Sequence, residues 1–461
     1  MSPPRFQPPA PTPPDRELPL WQWLWQVYRN PILTWPRAVF EEPYVLRQAG
    51  RLSAHFLLDP ALVKGVLLDH VEAFPKAPIM RRMIEFENGP NILTAEGEYW
   101  RMLRRTAAPG FQAKKIAAMG PVFVDAAQRR LQAWQARQGD APIDLAKEMM
   151  FTTLDVIIET MLSGRDEVDT QRLGEAIATY IDTIGRVQPA DVLNLPAWAP
   201  RPGKRRGTIA GNYIRAETLR IVQNRRARPV ERPDLLNLML DARDPESGHA
   251  LTDQELVNTI GVFIGAGHET TALALTWALY LIHQHPSTEA RLRAEIAEVC
   301  GDAPPRPDQA DRLVFARQVI EEAMRLYPPV PNIPRIAAQD VTIGEAHIRT
   351  GDFVVIPVYA IHRHAKLWHD PWAFNPANFD PELAASRTRY AYLPFGAGPR
   401  ICIGMGFAML EAVLILASLI QARRFEIIDP ARVEPQQTIT LKPRDGIFAR
   451  VREVARFAAA A

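Results

Sequence analysis

Of the two cysteines in this chain, Cys402 stands in the run Phe395-Gly396-Ala397-Gly398-Pro399-Arg400-Ile401-Cys402-Ile403-Gly404, just ahead of the apolar stretch Phe407 to Ile420. This setting suits an anionic sulfur that ligates a metal. Amide donors and a helix N-terminus favour the thiolate, and glycines let the backbone pass close to a flat partner. A solitary cysteine is otherwise most often a small core hydrophobe. Cys300 is far away in sequence, so neither a zinc-type pair nor a redox dithiol is available.

A second group sits upstream, in Gly265-Ala266-Gly267-His268-Glu269-Thr270-Thr271. An acid next to a hydroxyl is what proton delivery to a reacting oxygen requires. The alternative for a helical threonine is a hydroxyl bonded back to its own helix. Glu322 and Arg325 are spaced to share one helical face as an ion pair, and Trp100 and Arg104 lie one helical turn apart.

These residues need elements to hold them. Leu251 to His285 is the longest helical pattern, opened by a Thr252/Glu255 capping box and closed by Pro286. Two glycines at its centre cost roughly 1 kcal/mol each relative to alanine, which implies a use for them. From about Glu98 to Ile282 the apolar spacing is helical, broken at Pro189 to Pro202 and at Pro229 to Pro233. Tyr44 to Leu46 and Ser53 to Leu58 read as paired strands around a Gly50 turn, with a helix starting near Pro60. Val341 to Ile343 and Phe353 to Ile356 read as a small sheet. Leu383 to Gly404 is loop-like. The fold class is mainly α with a minor β-sheet region, in one domain from residue 31 to 461.

Residues 1 to 30 form a lead-in. Met1 to Pro14 is proline-rich and reads as disordered or polyproline. Trp21, Leu24, Trp25 and Tyr28 share a helical face, which predicts an amphipathic helix docked on the core, with membrane-surface contact as the alternative. Polar interruptions at Gln22, Gln26 and Arg29 leave far fewer than the ~20 apolar residues of a membrane span. With Lys+Arg 54 against Asp+Glu 52, no global field points to nucleic acid.

The Phe395 to Gly404 run resembles, at every fixed position, the haem-binding loop of the cytochrome P450 family, soluble bacterial type. The likeness extends from about Pro31 to Arg450. It implies the cytochrome P450 fold and haem b (iron protoporphyrin IX), with Cys402 as the iron ligand. Trp100, Arg104, Arg335 and Arg400 fall at propionate-binding positions, and Phe395, Gly404 and Ala266 at haem-contacting ones. Glu322 and Arg325 resemble the family's structural Glu-x-x-Arg lock. Its usual third member, an arginine, is replaced here by Asn378, so Asn378→Arg is expected to be tolerated or stabilising. Glu269 and Thr270 resemble the oxygen-activating acid and alcohol. The implied activity is a monooxygenase that inserts one atom of O2 into a lipophilic substrate. Electrons from NAD(P)H would arrive through a separate ferredoxin, flavodoxin or reductase. Substrate contacts are expected in Pro75 to Leu93, Ile181 to Trp198, Ile260 to Thr270, Val330 to Ile333 and Ile439 to Thr440. The lack of an anchor points to a cytoplasmic enzyme.

Overall fold

A computed structural model describes residues 6–14, 18–49, 52–78, 80, 89–137, 139–162, 164, 168–192, 195–196, 198–231 and 234–454. The lead-in is laid against the body of the protein. The Phe6 carbonyl accepts from the Phe374 N–H at 3.0 Å, and the Pro9 carbonyl accepts from the buried Tyr327 hydroxyl at 2.7 Å. This corrects the expectation of disorder for these residues, while residues 1–5 lie outside those described. Helix α1 (Leu20–Arg29) starts after Pro19 and stops at Asn30. Val27 is its buried side chain, whereas Trp21 and Trp25 stand 69% and 55% exposed. The expected docking of the Trp21/Trp25 face on the core is therefore also corrected. Amphipathic spacing records which residues share a face, not whether that face finds a partner.

Strands β1 (Tyr44–Ala49) and β2 (Leu52–Leu57) pair antiparallel as expected, with Gly50 outside the described residues. Helix α2 (Pro60–Lys64) follows, its Asp59 cap accepting from the Ala61 N–H at 2.7 Å. The helical stretch comprises α3 (Gly97–Ala107), α4 (Ala113–Gln135), α5 (Leu145–Met161), α6 (Thr170–Ile184), the short α7 (Pro189–Val192), α8 (Lys204–Ala227) and α9 (Leu235–Asp241), with β3 (Ile143–Asp144) between α4 and α5. Helix α10 (Asp253–His283) carries both reciprocal bonds of the Thr252/Glu255 capping box. It packs on α5 along one side, and the Thr153 hydroxyl donates to the His268 carbonyl at 2.9 Å. Helices α11 (Pro286–Cys300) and α12 (Val314–Leu326) complete this layer.

Beyond α12, β4 (Ile333–Ile336) joins the first sheet, whose order is β1-β2-β7-β4, with β7 (Phe353–Ile356) parallel to β2. Strand β5 (Val341–Ile343) pairs instead with β6 (Ala346–Ile348). The small sheet expected from sequence is thus divided between two sheets, because alternation sets which residues share a face but not which strand is the neighbour. After α13 (Val358–Ile361) and α14 (Pro381–Ser386), the chain runs through the cysteine loop into α15 (Met405–Ala422). Among the described residues α15 alone is long and apolar enough to cross a membrane, and it is mostly buried between α4 and α10. Strand β8 (Arg423–Ile427), the hairpin β9 (Pro435–Gln437) and β10 (Leu441–Pro443), and β11 (Phe448–Glu453) end the fold.

Candidate active site

Gly396 and Gly398 hold φ at +69° and +70°, a region that side chains disfavour. At Gly398 space also forbids one, since a Cβ would lie 1.9 Å from the Leu67 carbonyl oxygen. These turns fold the loop so that the Cys402 N–H donates to the Phe395 carbonyl at 2.9 Å. Burial pushes the Cys402 thiol up, opposed by the Gly404 N–H and the Arg104 charge. Yet Cys402 keeps accessible surface. Both hold for a side chain that opens on an internal slot rather than on the outer surface.

Helix α10 borders the same kind of space. Ala266 is exposed and Thr270 half-buried, although residues 271–282 of that helix are all buried. A Cβ at Gly261 or Gly265 would meet nothing within 4 Å. The Phe111 ring links the two walls: it lies 5.2 Å from the Phe263 ring, and its Cε1 would be 3.8 Å from a Cβ on Gly404.

One rim of the site is crowded with cations. The Trp100 ring has Arg400, Lys76 and Arg104 at 5.8, 5.9 and 6.0 Å. The backbones of Lys76 and Arg335 are bridged. Lys76 is pulled down to about 8, first by burial and then by the charges of Arg400, Arg335 and Arg104 against that of Glu96. Burial, helped by Arg400, lowers Arg335 to about 10. Glu96 pairs with Arg400 and accepts the Lys76 N–H at 2.7 Å, while the buried Arg400 Nε has no hydrogen-bond partner. Four cations meeting one carboxylate leave room for further negative charge.

Glu269 is buried, and its Oε1 accepts from the Thr440 hydroxyl at 2.9 Å. Burial raises its carboxyl to about 7, against the Thr440 bond and the Lys442 charge. Thr440 is held there because Trp277 Nε1 donates to the Leu441 carbonyl at 3.1 Å and the Leu441 N–H donates to the Pro329 carbonyl at 3.0 Å. Expected as a substrate contact, Thr440 is instead buried against Glu269. The Thr270 hydroxyl donates to the Ala266 carbonyl at 2.8 Å, the back-bond that a helix offers any threonine. That bond uses its proton and leaves lone pairs on its oxygen. Of the other expected contacts, residues 79, 81–88, 193, 194 and 197 lie outside those described.

Behind the loop, Glu322 and Arg325 are fully buried and joined by two bonds of 2.7 Å. Asn378 Nδ2 donates to both Glu322 oxygens at 3.3 and 3.2 Å. A cation does reach this pocket, from nine residues further along the chain. Arg387 donates to the Asn378 carbonyl and lies 4.2 Å over the Trp368 ring and 4.9 Å over Phe379; burial lowers its pKa, opposed by the Glu322 charge.

The family profile described as Cytochrome P450 matches residues 11–449. The chain belongs to the cytochrome P450 family. A cyclooctatin synthase from Streptomyces melanosporofaciens is 32% identical over 360 residues, 77% of this chain and 76% of that one. A cytokinin hydroxylase from Arabidopsis thaliana is 30% identical over 403 residues, 85% of this chain and 77% of that one. The crystal structure of the cytochrome P450DA heme domain superposes with a TM-score of 0.82 at 27% identity, covering 97% of this chain and 99% of that one.

This P450 is a haem monooxygenase, and its residues fit haem b. The accessible but deeply set Cys402 and the open flank of α10 leave a slot, and the cation excess at its rim suits two carboxylates. The structure brings Trp100, Arg104, Arg335 and Arg400 together at that rim, and sets Ala266 and Thr270 along α10 with Glu269 turned away into the protein. Lys76 and Glu96 were not foreseen. The one local signal was a lysine held between prolines in Pro75-Lys76-Ala77-Pro78.

With Arg387 already in the lock, the expectation for Asn378→Arg reverses. A third guanidinium beside Arg325 and Arg387 overfills the pocket, at a cost of about 1–3 kcal/mol. Thermal melts of Asn378→Arg, Arg387→Ala and the double variant should show the double variant more stable than Asn378→Arg alone. Strict additivity would mean that Arg387 does not occupy the missing arginine's place.

Proposed function

We propose that this P450 oxygenates a lipophilic substrate, with Cys402 as the proximal thiolate and Glu269 and Thr270 as the proton-delivering pair. The observation that carries this reading is the accessible Cys402 in an otherwise buried setting, together with the open middle of α10 at residues 265–267 and Thr270. Bound haem supplies the binding and activation of O2. Trp100, Arg104, Arg335, Arg400 and Lys76 would hold its propionates, and Phe395, Gly404 and Ala266 would line its faces. The apolar Phe111 and Ile333, set against Gly404 and Gly396 of the cysteine loop, favour an apolar ligand. Electrons come from a separate ferredoxin, flavodoxin or reductase, the kind of partner the family implies. Two unpaired cysteines suit a reducing, cytoplasmic setting.

The residues divide the proton work. Glu269, poised near neutrality, holds a proton at its carboxyl and exchanges it through the Thr440 side. The Thr270 oxygen, fixed by its bond to Ala266, accepts and orients a hydrogen bond at the slot. With surrogate electron donors and a panel of lipophilic compounds, Thr270→Ala should keep oxidising NADPH but release most of the reducing power as hydrogen peroxide. Because the protonated form of Glu269 donates, coupling to product should fall as pH rises through about 7. Glu269→Gln should flatten that profile. Wild-type coupling in Thr270→Ala would remove the pair from proton delivery.

A further inference from the structure

Arg363 follows α13 and is 1% exposed, yet its Nε, Nη1 and Nη2 donate to no protein acceptor. The guanidinium instead lies 3.9 Å over the Tyr359 ring and 5.6 Å from the rings of Tyr327 and Trp372. Phe40 closes this box, its ring 5.4 Å from Trp372 and 6.3 Å from Tyr359. Aromatic rings attract a cation through their faces, but a guanidinium points its five N–H groups outward in its own plane. Stacking therefore leaves the donors unanswered. The Tyr359 hydroxyl is buried and unpartnered as well, whereas the Tyr327 hydroxyl is taken up by the Pro9 carbonyl. Among the described residues no carboxylate pairs with Arg363. Glu322, whose charge acts on it, already accepts from Arg325, from the Asn378 amide and from the Asn375 N–H. Burial lowers the Arg363 pKa, and the neighbouring Arg325 charge works in the same direction.

We propose that the Arg363 guanidinium and the Tyr359 hydroxyl bind a small monovalent anion, chloride under ordinary salt conditions. The inference goes beyond the oxygenase reading and does not rest on it. A buried charge that has neither a counter-ion nor hydrogen bonds is among the costliest arrangements a side chain can take, and a halide supplies both remedies at once. It accepts from several donors in the guanidinium plane and from a phenol beside it, and it brings the single negative charge that this pocket lacks. Water would answer some of the donors but none of the charge. The bound anion would also brace the turn that links the Glu322/Arg325 pair to the cysteine loop. The preceding His362 accepts the Leu393 N–H through its ring, and its carbonyl accepts from Arg325.

The test is a chloride titration of the haem-loaded full chain at constant ionic strength, with sodium gluconate as the salt replaced. The melting temperature should rise with chloride and level off, by about 3 °C at roughly a hundredfold excess over Kd. Crystals soaked in bromide should show an anomalous peak within hydrogen-bond distance of the Arg363 nitrogens. Arg363→Met keeps an unbranched stem without the charge, so it should melt higher than wild type in gluconate and lose the chloride response. Tyr359→Phe should shift the chloride midpoint upward several-fold. Absence of a bromide peak at Arg363 overturns the proposal and leaves the guanidinium to water. A chloride response that Arg363→Met retains overturns it too. A bromide peak with no chloride response in solution is binding at crystal concentration only, and counts against it equally. If Arg363→Met does not fold, the wild-type titration and the bromide map decide between them, and both must be positive.

Discussion

Arg325→Ala is expected to leave a protein that accumulates mainly as apoprotein or aggregate. The Arg325 guanidinium is fully buried and satisfies five acceptors: both Glu322 oxygens, and the carbonyls of His362, Pro371 and Ala373 at 2.9, 2.7 and 2.7 Å. Removing it strands a buried carboxylate and three carbonyls. The loss of one partner from such a pair costs roughly 3–5 kcal/mol, a large share of the roughly 5–15 kcal/mol by which proteins are stable. The damage would reach the cysteine loop by a short route. His362 accepts the Leu393 N–H at 2.8 Å and stacks on Tyr392, whose hydroxyl donates to the Glu321 carbonyl at 2.9 Å. Leu393 lies two residues before Phe395. Haem content per polypeptide and a thermal melt measure the effect. A stable Arg325→Ala protein with full haem occupancy would mean that the pair is not what holds the loop.

What the sequence made legible is what local geometry enforces. The cysteine loop was readable because Gly396 and Gly398 must take positive φ, and Gly398 faces a carbonyl that leaves no space for a side chain. Helix α10 was readable from its capping box and spacing, and Glu322 with Arg325 from three-residue periodicity. Other features depend on segments that meet only in space. Lys76, Glu96 with Arg104, Arg335 and Arg400 come from four stretches of chain, and no local pattern records that they share one rim. Arg387 reaches back from nine residues away to the Asn378 carbonyl, which motif reading at Asn378 could not show. The stripe of Trp21 and Trp25 was legible as a stripe, but its outward orientation depends on which side α7 and the β9–β10 hairpin cover. The family resemblance placed Thr440 among the substrate contacts. Trp277 and Pro329 instead set its hairpin so that Thr440 meets Glu269.

The second large effect concerns Cys402. Its sulfur is a soft ligand placed just before α15, with the Gly404 N–H and Arg104 favouring the anion. Cys300, the other cysteine, is buried in α11. Cys402→His offers a neutral nitrogen in place of an anionic sulfur, so haem could still be retained through its propionates and the walls of the slot while the electronic character of thiolate ligation is lost. Activity should vanish with it, and Cys300→Ser should change neither. The decisive measurement is the absorption spectrum of the reduced protein under carbon monoxide. Wild type and Cys300→Ser should show the strongly red-shifted Soret band of a thiolate-ligated haem, and Cys402→His should bind haem without that band. A red-shifted band that persists in Cys402→His would contradict the assignment of Cys402 as the iron ligand.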